Sequence, residues 1–145
     1  MEKVFEDYFS ELQTDMVVIC LEYAHKKADN IYIYGSVEDN IFSVGFFYKI
    51  NGKLLKRHEI NKENLDCDVS IIMQKKVMQI LLNNLKEIQK LFIKHEREMP
   101  TEIKMIYDVH KNSLNAKYKY EKIISVDSSI TARDIEQKWF EEFRS

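Results

Sequence analysis

The chain has little glycine and almost no proline: three Gly and one Pro in 145 residues. That scarcity leaves little room for long flexible linkers or for a glycine-rich loop that cradles phosphate. Cysteine is nearly as rare. Cys20 and Cys67 lie in unlike segments with no close spacing, which excludes a paired-cysteine metal or redox motif and predicts two reduced thiols. Long hydrophobic runs are missing as well. The stretches Met16–Cys20 and Val44–Tyr48 fall far short of the roughly 20 apolar residues that a spanning helix requires. The first residues, Met1-Glu2-Lys3-Val4-Phe5-Glu6-Asp7, are acidic and lack the basic region and apolar core of a secretory signal. The expectation is a soluble protein of the cytoplasm, with no membrane partner.

What is present suits one globular domain over residues 1–145, with 45% hydrophobic and 32% charged residues giving both a core and a salt-rich exterior. The net charge of −2 is unevenly spread. Residues 1–48 hold nine acidic and three basic side chains, a net of −6, whereas residues 49–122 hold sixteen basic and ten acidic, a net of +6. Such segregation can orient a partner, unless the segments interleave on the surface and cancel.

Hydrophobic periodicity sets the order of elements. Phe5, Phe9, Leu12, Met16, Ile19, Cys20 and Tyr23 recur at three- and four-residue steps, predicting a helix from residue 2 to about 28. The period then changes to two. Ile31–Tyr34 begins a strand, Glu38-Asp39-Asn40 turns it, Ile41–Tyr48 makes a second, and Asn51-Gly52 has hairpin-turn chemistry. Lys53–Ile60 reads as a third strand. A second helix is expected over about Val69–Arg97, capped by Asp66 or Asp68, with Val69, Ile72, Met73, Val77, Ile80, Leu81, Ile88 and Phe92 inward. Ile103–Val109 and Leu114–Tyr120 alternate as two more strands. Thr131-x-x-Asp134 has capping-box form and opens a last helix with Ile135, Trp139, Phe140 and Phe143 inward. The prediction is an α+β fold of order α-β-β-β-α-β-β-α, a five-stranded antiparallel sheet with helices packed mainly on one face.

No motif specifies a reaction. His25, His58, His95 and His110 are scattered, and the His95-Glu96 pair is followed at the next helical position by Met99 rather than a second histidine, so no zinc-protease helix forms. The adjacent acids Glu38-Asp39 and Glu141-Glu142 point apart rather than across a cleft, as acid–base catalysis would need. Lys117 and Lys119 alternate with Tyr118 and Tyr120, which separates cations from aromatics. Single-strand binders present both on one surface. With a pI near 6.1, this argues against direct nucleic-acid binding. The residues thus predict no enzyme, no cofactor and no metal ligands.

Protein recognition is the class that remains. Tyr32 and Tyr34 face opposite to Ile31 and Ile33, and Phe47 opposite to Phe46 and Tyr48. If one sheet face packs the helices, these aromatics lie on the other, rimmed by Glu38 and Asp39. Tyr32, Tyr34, Glu38, Asp39 and Phe47 are therefore the candidate partner-binding residues. Equally open is that the terminal helix covers the aromatics, or that isolated tyrosines merely decorate the surface. An unpaired sheet edge would also allow a homodimer.

Several stretches resemble one known family. They are Asn30–Val37 leading into Phe42–Tyr48, Met99-Pro100-Thr101 before Ile103–Val109, Asn112 to Glu121, and Asp134-Ile135 through Trp139-Phe140-Glu141-Glu142. In these and in element order the chain resembles the YezG-like immunity (antitoxin) family of Gram-positive bacteria over nearly its whole length. The resemblance implies a cytoplasmic, non-catalytic binder that neutralises a cognate secreted polymorphic toxin, commonly a nuclease. A small-ligand or regulatory binding domain without catalysis is the alternative.

Overall fold

The computed structural model describes residues 4–127 and 129–144. Helix α1 (Phe5–Tyr23) is followed by strands β1 (Asn30–Glu38), β2 (Ile41–Ile50) and β3 (Lys53–Lys56), a 3-10 helix (Arg57–Glu63), helix α2 (Ile71–Lys94), strands β4 (Glu102–Asp108) and β5 (Ser113–Lys119), and helix α3 (Ala132–Glu142). This is the α+β order that the periodicity predicts. All strand pairs are antiparallel, and the order across the sheet is β3-β2-β1-β4-β5. The α2 crossover therefore brings β4 back beside β1, placing the first strand of the chain at the centre.

Two tight turns fix the register. Asp39 and Asn40 both have positive φ (51° and 62°), as do Asn51 and Gly52 (51° and 77°). That is the backbone of two-residue hairpins, and it is why Asn, Asp and Gly stand there. Glu38 then pairs with Ile41 and Ile50 with Lys53.

The sheet has a helix layer on each face. α1 and α2 cover the face bearing Ile31, Ile33, Phe46, Tyr48, Ile103 and Met105, with Met16, Cys20, Leu81, Leu85 and Ile88 packed into it. Phe5 and Phe9 meet Phe92 edge-on, with centroids 4.8 and 5.1 Å apart. The Tyr48 hydroxyl donates to the Cys20 carbonyl at 2.5 Å, tying α1 to β2. Cys20 and Cys67 are free and buried. The third helix, α3, lies on the opposite face.

Several predicted boundaries differ. The start of the first helix at residue 2 lies outside the described residues. Its end comes at Tyr23, because His25 and Lys26 adopt left-handed φ. Ser70, not Asp66 or Asp68, caps α2 by accepting from the Met73 N–H, while Asp68 accepts from Ser70. Ile72 and Ile80 point outward, and Leu85 takes the inward position. Tyr118 lies over Phe9 and accepts from Gln13 but stays partly open, and Tyr120 is exposed beyond β5. Phe143 is likewise partly exposed. The third strand stops at Lys56 instead of reaching Ile60, since Ile60 turns into the core within the 3-10 helix. That early stop shapes the site.

Candidate functional site

The site is built around the β1–β2 turn and the outer edge of β2. Glu38, the last residue of β1, is only 6% exposed. Its carboxylate accepts from the N–H groups of Ile123, Ile124 and Ser125 at 2.9–3.1 Å and from the Ser125 hydroxyl at 2.9 Å. Burial alone would raise its pKa, but these four donors together bring it below the ordinary glutamate value. Beside it, Asp39 pairs with Lys122 at 2.9 Å and keeps half of its side chain in solvent. The Lys122 hydrogen bond and charge lower the Asp39 pKa and raise that of Lys122. One carboxylate is thus a clamp on the segment after β5, and the other an exposed charge at the turn.

The clamp delivers the chain to Thr131, whose hydroxyl accepts from the Asp134 N–H while Asp134 accepts from the Thr131 N–H. This capping box starts α3 directly over the second sheet face. There Trp139 and Phe140 bury Tyr32, Tyr34 and Phe47. Tyr32 and Phe47 stack at 4.6 Å, and Trp139 meets both edge-on at 5.9 and 5.1 Å. The exposed aromatic cluster expected at Tyr32, Tyr34 and Phe47 is therefore covered: α3 supplies the apolar face that hides them. Of the five candidate residues, Asp39 alone is exposed, paired with Lys122, and Glu38 is engaged internally.

Residues that sequence reasoning passed over form the other wall. Gly45 lies on the α3 face of β2, and the Glu136 carboxylate occupies the space a side chain at Gly45 would fill. Glu136 faces Arg57, with Oε2 3.6 Å from Nη1. Burial raises the Glu136 pKa, with Arg57 opposing. The same Arg57 nitrogen donates to the Phe46 carbonyl at 3.3 Å, and the guanidinium lies over the Phe46 ring at 5.2 Å. The signal that could have found this corner is Gly45 itself, since glycine inside a strand run marks a close approach by another group.

Where β3 stops, the layers part. A cleft of about 380 Å³ runs beside Phe42, Ser43 and Val44, between Met78 and Leu82 of α2 and Ala132, Arg133 and Glu136 of α3. Smaller cavities flank it, one of about 200 Å³ past Arg57 toward Gln137 and one of about 230 Å³ toward Glu38 and Ile41. Tyr34 also lines the cleft, with its hydroxyl buried. Among the described residues, no group of three His, Cys, Asp or Glu side chains could hold a metal ion, and no helix is long and apolar enough to cross a membrane. The arrangement offers surfaces and an open backbone edge rather than converging acid–base groups.

The profile of the family described as "Immunity protein YezG-like" matches residues 5–143, from the first residue of α1 to the residue closing α3. No curated protein matches the chain.

Proposed function

The chain belongs to the YezG-like immunity protein family, and on that premise we propose that it binds a cognate secreted toxin, a nuclease, and neutralises it in the cytoplasm without catalysis of its own. The family match carries the reading, because it spans every helix and strand. An immunity role requires occlusion: a stable complex covers about 800 Å² on each partner. For a nuclease the surface to be blocked is basic, since it binds phosphate.

Within the acid-rich first third, Asp39 is a charge presented to solvent for such a contact, on a two-residue turn. Tyr32, Tyr34 and Phe47 serve the contact indirectly in this reading, by seating α3 beside it. The alternative, a small-ligand domain, draws less support. The cleft between α2 and α3, about 380 Å³, stands near the low end of the roughly 300–1,000 Å³ of ligand pockets.

The test is co-expression of the chain with any secreted-toxin domain found encoded beside its gene. Growth rescue together with a 1:1 complex on purification is the expected result. Toxicity undiminished by saturating amounts of the chain would refute the proposal.

A further inference from the structure

We propose that the edge of β2 from Phe42 to Phe46 receives an extended segment of a protein partner as an added strand, in the line that β3 vacates. The identity of that partner as the toxin rests on the immunity reading. The register carries the geometry. Because Glu38–Ile41 and Ile50–Lys53 flank two-residue turns, they are hydrogen-bonded pairs. Alternation then points the backbone groups of Ile41, Ser43, Gly45, Phe47 and Lys49 at β1, and those of Phe42, Val44, Phe46, Tyr48 and Ile50 outward. β3 reaches only from Phe47 to Ile50 along β2. Arg57 takes the Phe46 carbonyl. The outward N–H and C=O groups of Phe42 and Val44 have no partner among the described residues. Unpaired backbone groups along an edge are a template for another strand.

The cleft walls state what the segment carries. Side chains on its α2 side would meet Phe42, Val44, Met78 and Leu82, so they are apolar. On the α3 side the cleft is lined by Arg57, Arg133 and Glu136; Arg57 faces Glu136, which leaves Arg133 in excess, with Lys56 lining the adjoining cavity. Acidic side chains fit there. The occupant is thus an extended stretch alternating apolar and acidic residues. A second copy of this chain fits worse, because it would bring its own edge cations against these. The opposite edge, β5, bears Lys117 and Lys119, and lysines on an edge strand discourage pairing.

Amide exchange followed by NMR tests this on the full chain, alone, with the co-expressed toxin domain, and with the synthetic peptide acetyl-Val-Glu-Val-Glu-Val-amide. The Phe42 and Val44 amides should slow by about tenfold or more with toxin and with peptide. Val44→Pro deletes an outward donor at an edge position where proline is tolerated, and should weaken toxin binding by about tenfold. Should that variant not fold, Arg133→Glu, at an exposed helix position, should weaken toxin binding by about threefold to tenfold and switch peptide preference from Glu to Lys. If toxin binds while both amides stay unprotected and the variants bind like the parent, the added strand is refuted and the immunity reading stands. If toxin does not bind but the peptide still protects these amides, the edge is supported and the toxin is refuted as its occupant. Protection that grows with the concentration of the chain alone would assign the edge to a second copy and overturn the proposal.

Discussion

The carboxylate of Glu136 fills the place of the side chain that Gly45 lacks. The strand and the helix are thereby matched at one point, and Arg57 is held by both, through the Phe46 carbonyl and through Glu136. Gly45→Ala should displace the carboxylate from Arg57 and cost about 1–2 kcal/mol, the worth of a partly buried charged contact. In a Glu136→Ala background the sign should invert. There Gly45→Ala gains about 0.5–1 kcal/mol, because alanine loses less backbone entropy than glycine in a strand. Denaturant melts of the four-protein cycle check this, and equal costs in both backgrounds would dissolve the link.

Glu38 gives stability a pH dependence of definite sign. Its folded pKa lies below the ordinary value through hydrogen bonds outweighing burial, so its contribution is complete above the unfolded value, about pH 4.3. That contribution is lost as pH falls through the lower folded value. Relative to Glu38→Gln, the parent should be more stable by about 1–3 kcal/mol near neutrality, with the gap closing on acidification. Urea midpoints of both proteins between about pH 7 and pH 3 measure it. A gap that widens in acid would mean the carboxyl is buried protonated.

Trp139 separates structure from binding. Buried against Tyr32 and Phe47, its truncation to alanine should cost about 3–5 kcal/mol. The loss should show first as release of α3, with proteolytic cleavage after β5 and dye binding to the uncovered tyrosines. A Trp139→Ala protein of parental stability that no longer binds toxin would make the indole a contact residue instead.

Asp39 is the charge to reverse, in place of the Glu38-Asp39 pair, since reversing Glu38 would also break the clamp. Asp39→Lys should slow association with the toxin and reduce its salt dependence. Restoring the ion pair in reverse, Asp39→Lys with Lys122→Glu, should not restore the rate. Stopped-flow kinetics that recover fully in the double variant would assign Asp39 to the pair with Lys122 alone.

Much of the candidate site was half legible. The alternation of Tyr32, Tyr34 and Phe47 against Ile31, Ile33 and Phe46 showed that those aromatics share a face, because strand periodicity is local. It could not show what covers them. Glu38 and Asp39 look alike in sequence as turn acids. Only the segment returning some 85 residues later makes one a buried acceptor and leaves the other in water. Arg57, Arg133 and Glu136 carried no pattern of their own, being ordinary surface-type residues until two layers met around them.

The order of elements, both hairpin turns and the α3 capping box were written in the chain itself, since period, positive-φ preference and side-chain capping act over a few residues. Folding decided the rest: β4 beside β1, α3 on the far face, and β3 ending at Lys56. Each of those depends on burying apolar surface between segments distant in sequence. Ile60 is buried in the α1–α2 core from the 3-10 helix that follows Lys56, and with β3 ended there the edge of β2 beyond it stays open.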